Sequence, residues 1–120
     1  MIKIAAATNG ETVNSIVPDL FEEATHLLLL DGDTGVLMQN YCFEDDKDTA
    51  ARSLAFADKV VNWDCEALLC GEIEAEPFAV LAEKNSVTRY MAAGLTAAEA
   101  LVRMNLYELY FLDDHRVSSE

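Results

Sequence analysis

The chain has 120 residues, a formal net charge of -14 and about balanced apolar and charged content, the profile of a globular protein large enough to bury a continuous core. Clusters such as Glu44-Asp45-Asp46 and Glu72, Glu74, Glu76 repel polyphosphate backbones and argue against nucleic-acid binding. No apolar run approaches the roughly 20 residues of a membrane helix, the Met1-Ile2-Lys3-Ile4 start lacks the pattern of a secretion signal, and three irregularly spaced cysteines suit free thiols, so a cytoplasmic location away from membranes is expected.

Residues 2–8 are short and apolar and stop at Asn9-Gly10, a turn-forming pair, which predicts a central first strand. His26 to Leu30, the turn Asp31-Gly32-Asp33-Thr34-Gly35 and Val36 to Phe43 read as two strands joined by a hairpin. The Asp-rich turn lacks the regular oxygen ligands and the distant Glu of a calcium loop, and Asp and Gly are what such a turn needs anyway. Asp46 or Asp48 can cap a helix whose apolar positions Ala50, Leu54, Ala57 and Val61 recur at helical spacing, with a second stripe at Phe56, Val60 and Trp63.

A fourth strand follows at Glu66 to Cys70. Beyond it lies a helix that tolerates Pro77 in its first turn and places Ala75, Phe78, Leu81 and Ala82 on one face. Val87 to Met91 is the last strand. Thr96-Ala97-Ala98-Glu99 is a capping box, so the final helix starts near Ala97 and its apolar pattern extends to about Leu112. The end of that helix, Leu106 to Leu112, is apolar enough either to pack on the domain or to meet another subunit in a homodimer. The expected core is Ile2, Ile4, Leu28, Leu30, Leu54, Leu68, Phe78, Leu81, Leu101 and Met104, in one domain over residues 1–112 with a polar tail over 113–120.

Strands alternating with helices build an α/β fold whose ligands bind beyond the carboxyl ends of parallel strands. Asn9, Gly10, Cys70, Gly71, Glu72 and Gly94 all fall where a strand ends, and a helix start beside Gly71 and Glu72 favours anions. Cys70 is the one thiol expected there, hence the candidate metal ligand. Cys65 lies roughly 16 Å away along an extended span, and Cys42 ends a strand roughly 14 Å across the sheet, so neither shares a small cluster with it. A lone thiolate is a weak site, and a small apolar residue closing a buried strand is the plainer reading of Cys70. His26 and His115 have no converging ligands. Catalysis lacks a basis: the first strand offers no carboxylate for a metal-dependent nuclease site, and no phosphate loop, nucleophile elbow or Cys with an adjacent His occurs.

With that order of elements, the opening Ile2 to Gly10, the Cys70-Gly71-Glu72-Ile73 turn with Pro77-Phe78, and Arg89-Tyr90 leading to Gly94-Leu95-Thr96, the chain resembles the dinitrogenase iron-molybdenum cofactor biosynthesis family over nearly all of residues 1–110. The resemblance implies a ribonuclease H-like motif: a three-layer α/β fold with helices on both faces of a mixed five-stranded sheet, order 3-2-1-4-5, strand 2 antiparallel. It further implies a non-catalytic carrier or accessory protein that holds an iron-sulfur or molybdenum-containing cluster and works with other metallocofactor-assembly proteins. A divergent interaction module that keeps the fold without a cluster is the alternative. Family members carry a His-Phe-Gly turn before the second strand; here the positions are Leu20, Phe21 and Glu22, so the histidine and glycine are replaced.

Overall fold

In the computed structural model, which describes residues 2–42, 49–84, 87–112 and 114, two β-hairpin strands and three helix-linked strands share one sheet. The strands are β1 (Lys3–Thr8), β2 (His26–Asp31), β3 (Leu37–Cys42), β4 (Ala67–Cys70) and β5 (Thr88–Met91); the helices are α1 (Thr49–Asn62), α2 (Ala75–Lys84) and α3 (Ala97–Asn105). Strand order is β3-β2-β1-β4-β5. β1 pairs in parallel with β4, and β4 with β5, while β2 runs antiparallel to both its neighbours. The expected α/β architecture, sheet order and antiparallel second strand are therefore all present.

The hairpin follows from its turn chemistry. The Asp31 carboxylate accepts from the backbone N–H of Asp33 (2.8 Å) and Thr34 (3.3 Å), and Gly35 takes the left-handed conformation (φ 78°) that brings the chain back. Leu27 to Leu30 are all buried, two to each face, because β2 is internal and both faces are covered.

Each face of the sheet carries its own core. Ala5, Ala7, Leu27, Leu29, Leu68 and Cys70 meet Phe56, Ala57 and Val60 of α1 and Leu81 of α2 on one side. On the other, Ile4, Ala6, Leu28, Leu30 and Leu69 meet Ala97, Ala100 and Leu101 of α3. Of the expected core, Ile4, Leu28, Leu30, Leu68, Leu81 and Leu101 are buried, and Phe78 and Met104 pack half-buried against it. Ile2 is 39% exposed, since it precedes the part of β1 that is paired on both sides.

In α1 the two expected stripes merge into one wide buried face, with Ala57 and Val61 of the first and Phe56, Val60 and Trp63 of the second on the same core, whereas α2 is rotated from its expected face. In α1 the buried line is Arg52, Ser53, Phe56, Ala57 and Val60, and Leu54 is half-buried outside both cores. Phe56 decides this: it meets Phe21 and Tyr41 edge-on, with centroids 6.4 and 5.8 Å apart, and so faces the sheet. The expected caps Asp46 and Asp48 lie outside the described residues. In α2, Pro77 and Leu81 turn inward, whereas Ala75 and Ala82 are exposed.

The last helix is shorter than its apolar pattern suggests, ending at Asn105 rather than near Leu112. Glu108 N–H donates to Arg103 O (2.9 Å) and Tyr107 N–H to Met104 O (3.0 Å), with Tyr107 left-handed at φ 60°. That is a Schellman stop in which Tyr occupies the position normally held by Gly, so the usual glycine signal is missing. Beyond the stop the chain returns to β5: Met91 N–H donates to Tyr110 O and Leu112 N–H to Arg89 O, each at 2.8 Å. Arg89 fixes this return by donating from Nε to Leu112 O (3.2 Å) while its guanidinium lies 4.3 Å from the Phe78 ring centroid. The short pairing covers part of an open sheet edge. Leu109 and Leu112 pack half-buried on the cores, while Leu106, Tyr107, Tyr110 and Phe111 face outward. The expected polar tail lies, apart from Asp114, outside the described residues.

Three substitutions test this packing. Tyr107→Gly removes a left-handed penalty of about 1–2 kcal/mol from a side chain that is 93% exposed. It should stabilise the fold by about 1 kcal/mol, roughly 4 °C in melting temperature. Phe56→Ala should cost about 3–5 kcal/mol in urea unfolding, and Leu54→Ala less than about 1.5 kcal/mol because that side chain is not enclosed.

Candidate functional site

Because β1, β4 and β5 are adjacent and parallel, their carboxyl ends lie side by side. That topology brings Asn9 and Gly10, then Cys70, Gly71 and Glu72, then Gly94 to the same edge of the sheet. A strap formed by residues 12–24 runs across it.

The strap is bound largely through backbone groups. Asn9 N–H donates to Ile16 O (3.0 Å), Gly94 N–H to Val17 O (2.9 Å) and Val17 N–H to Leu95 O (2.8 Å). At the β4 end the exchange is reciprocal: Glu72 N–H donates to Asp19 O (2.9 Å), and Phe21 N–H to Glu72 O (2.7 Å). The amides of Glu72 and Gly94, two of the donors an anion at this edge would use, are thus taken by the strap's own carbonyls. Gly71 is buried with no room for a Cβ, which would collide with the Pro18 and Asp19 carbonyls. Gly10 is similarly tight against the Ser15 hydroxyl, whereas Gly94 faces open space and is needed for its φ of 87°.

Leu20, Phe21 and Glu22 form the β4 end of this strap. Leu20 bridges to Glu72, and Phe21 opens a one-turn 3-10 helix, Phe21–Glu23. The Phe21 ring is fully buried in the same core as Cys70. Underneath, Arg52 of α1 is 6% exposed and donates from Nη2 to Glu22 O (2.9 Å). Its Nε is buried without a hydrogen-bond partner among the described residues. Arg52 was not legible as a site residue because it stands in a helix with one other cation; its signal is its place on the apolar line of Phe56 and Val60.

Cys70 is completely buried, its Sγ 4.0 Å from Tyr90 O. Burial pushes its thiol well up, and the nearby Arg89 charge offsets only part of that. Cys65, at the opposite end of β4, is pushed up to about 12 by burial, opposed by Lys3 and reinforced by Asp64. Cys42 is exposed and lies opposite His26 in the β2–β3 register, a juxtaposition that the separate reading of each residue did not reveal. No group of three or more His, Cys, Asp or Glu side chains able to hold a metal ion occurs among the described residues. A groove of 330 Å³ opens at the other end of the parallel strands, between residues such as Ile2, Glu66, Tyr90 and Met104. None of the six candidate residues lines it. Among the described residues, no helix is long and apolar enough to cross a membrane.

The dinitrogenase iron-molybdenum cofactor family model matches residues 1–106. Among solved structures, the apo form of the orange protein from Desulfovibrio gigas superposes with a TM-score of 0.83 at 16% identity, covering 98% of both chains. A Thermotoga protein provisionally described as NifB, of the DUF35 family, gives 0.78 at 21% identity over 99% of this chain and 100% of its own. A Methanocaldococcus jannaschii protein provisionally described as a dinitrogenase gives 0.63 at 17% identity, over 95% of this chain and 99% of its own. At these identities the likeness is one of fold. No curated protein matches the sequence.

The thiols give a direct check on this geometry. Both buried thiols are neutral in the fold, so their contribution to stability is complete below the ordinary thiol value of 9.0 and is lost as pH rises towards the raised folded value, about 12 for Cys65. At pH 8, a disulfide reagent should modify Cys42 at once and Cys65 and Cys70 only slowly; in denaturant all three should react together.

Proposed function

Since the chain belongs to the dinitrogenase iron-molybdenum cofactor family, which spans residues 1–106, we propose that it is a non-catalytic carrier or accessory protein of metallocofactor assembly. Its cargo on this reading is an iron-sulfur or molybdenum-containing cluster precursor held at the edge formed by Asn9, Gly10, Cys70, Gly71, Glu72 and Gly94. The family match over nearly the whole fold carries the proposal. The apo form named for the orange protein, a neighbour of the same fold, supports it.

The chemistry narrows the kind of cargo. A bare metal ion needs several converging donors, and the described residues supply no such group. A cluster complete in its own sulfide ligands needs instead a shaped surface, amides and at most a thiol contact from Cys70. The acidic side chains Glu72, Glu74 and Glu76 are exposed, so they can turn outward from an anionic cargo. The natural partners are other cofactor-assembly proteins or a second copy of the chain, with nucleic acid opposed by the net charge of -14.

One observation favours the alternative of an interaction module without cargo: Leu20 and Glu22 stand where the family's turn has His and Gly, and this turn is packed onto β4. Anaerobic incubation with tetrathiomolybdate, or with iron and sulfide, followed by metal analysis and visible absorbance, separates the two. A carrier should retain metal through gel filtration, with Cys42→Ser and Cys65→Ser unchanged and Cys70→Ser weakened about tenfold, roughly 1.4 kcal/mol. Equal retention by wild type and Cys70→Ser would remove Cys70 from the site. No retention by any of them would leave the interaction module.

A further inference from the structure

The two ends of β4 are closed in different ways. Cys65 is buried beneath the C-terminal part of α1, where its N–H donates to Val60 O (3.3 Å) and its side chain belongs to the core under α1 and α2. Reaching it requires the main core to come apart. Cys70 shares that core, but the residues that follow it, Gly71 and Glu72, lie against the Pro18–Phe21 backbone.

The attachments of that segment are made by side chains as well as backbone. Between Pro18 and Glu23 they include the two backbone hydrogen bonds exchanged with Glu72, the Phe21 ring set edge-on against Phe56, and the Arg52 guanidinium on Glu22 O. Asp19 and Glu23 are exposed, and Pro18, Leu20 and Glu22 are half-buried. The one-turn helix has no side-chain cap on its first residues. A segment held by a handful of backbone bonds and one buried ring opens locally at a lower free energy than the five-stranded sheet it lies on. Gly71 marks the seam, because its missing Cβ is what lets the Pro18–Asp19 backbone lie flat on the β4 end.

We propose that residues 18–23 form a detachable cover that lifts from the Gly71–Glu72 corner as a unit while the sheet stays folded, and that this lifting unroofs the carboxyl end of β4. In the closed form the Glu72 amide is occupied by Asp19 O, and Phe21 is buried in the core that also holds Cys70. In the lifted form the Glu72 N–H and the Cys70 thiol become accessible together. The cover thus regulates access to the edge assigned above to the cargo; its purpose rests on that reading, whereas its motion does not.

Pulsed alkylation of the full chain with iodoacetamide, without metal and read residue by residue by mass spectrometry, tests the motion. Cys42 reports the open rate and Cys65 reports global unfolding. Cys70 should label at least about tenfold faster than Cys65. Gly71→Ala, whose added Cβ pushes against Pro18 and Asp19, should speed Cys70 labelling by about a further tenfold and leave Cys65 unchanged within about twofold. Arg52→Leu, which removes the pin on Glu22 O without adding bulk, should act in the same direction should Gly71→Ala fail to fold. Equal rates for Cys65 and Cys70 in wild type, or rates that rise together in Arg52→Leu, would overturn the cover. Tetrathiomolybdate uptake followed in the same variants tests its purpose separately. Faster uptake alongside faster Cys70 labelling supports both readings, selective Cys70 labelling without uptake in any variant keeps the cover and defeats the cargo, and uptake unaffected by the cover overturns its role in access.

Discussion

The carboxyl edge of the sheet depends on the absence of a side chain at Gly71. Because nothing projects there, the Pro18–Asp19 backbone comes down onto the end of β4, and Glu72 exchanges one hydrogen bond in each direction with Asp19 and Phe21. Phe21 is then held in the core that contains Cys70, and the buried Arg52 sets its guanidinium on the Glu22 carbonyl. The occupied amide of Glu72 follows from this contact, and the burial that raises the Cys70 pKa comes from the core under α1 and α2. A Cβ at this point is therefore expected to act on the whole corner rather than on one residue.

The architecture was legible because its signals are local and repeated. Short apolar runs ended by Gly, a hairpin turn whose Asp31 bonds its own backbone, and the Thr96–Glu99 box, with Glu99 N–H donating to Thr96 Oγ1 at 3.1 Å, each specify one structure without help from distant contacts. The order of the strands came with the family resemblance, not with periodicity. Helix faces were less legible: two adjacent stripes in α1 both satisfy a 3.6-residue repeat and both reach the core, and the contacts of Phe56 with Phe21 and Tyr41, far apart in sequence, centre the buried face so that Leu54 falls outside it. The end of α3 was missed because Tyr107 takes a conformation that sequence patterns associate with Gly.

At the edge itself, the sequence placed six residues at strand ends with the 16–24 loop beside them, but not the backbone bonds by which that loop closes over the edge. The 12–24 segment has no periodic pattern, and its structure is set by backbone partners on β4, the β5–α3 turn and the start of α3. Arg52 is an example of the same difficulty, since its place on the apolar line of Phe56 and Val60 signals burial but not that its guanidinium meets a turn 30 residues away. The family match over residues 1–106 relates the chain to cofactor biosynthesis.

The central claim is that this edge is closed by the chain's own backbone, and amide hydrogen exchange reads it most directly. The N–H groups of Phe21, Glu72 and Gly94 should be protected in the metal-free protein, and those of Phe21 and Glu72 should exchange together and sooner than Ala5, Ala6 and Leu69 in the middle of the sheet. Exchange of Glu72 and Gly94 at the rate of an unprotected amide would show that the strap is not bonded there and would contradict the account.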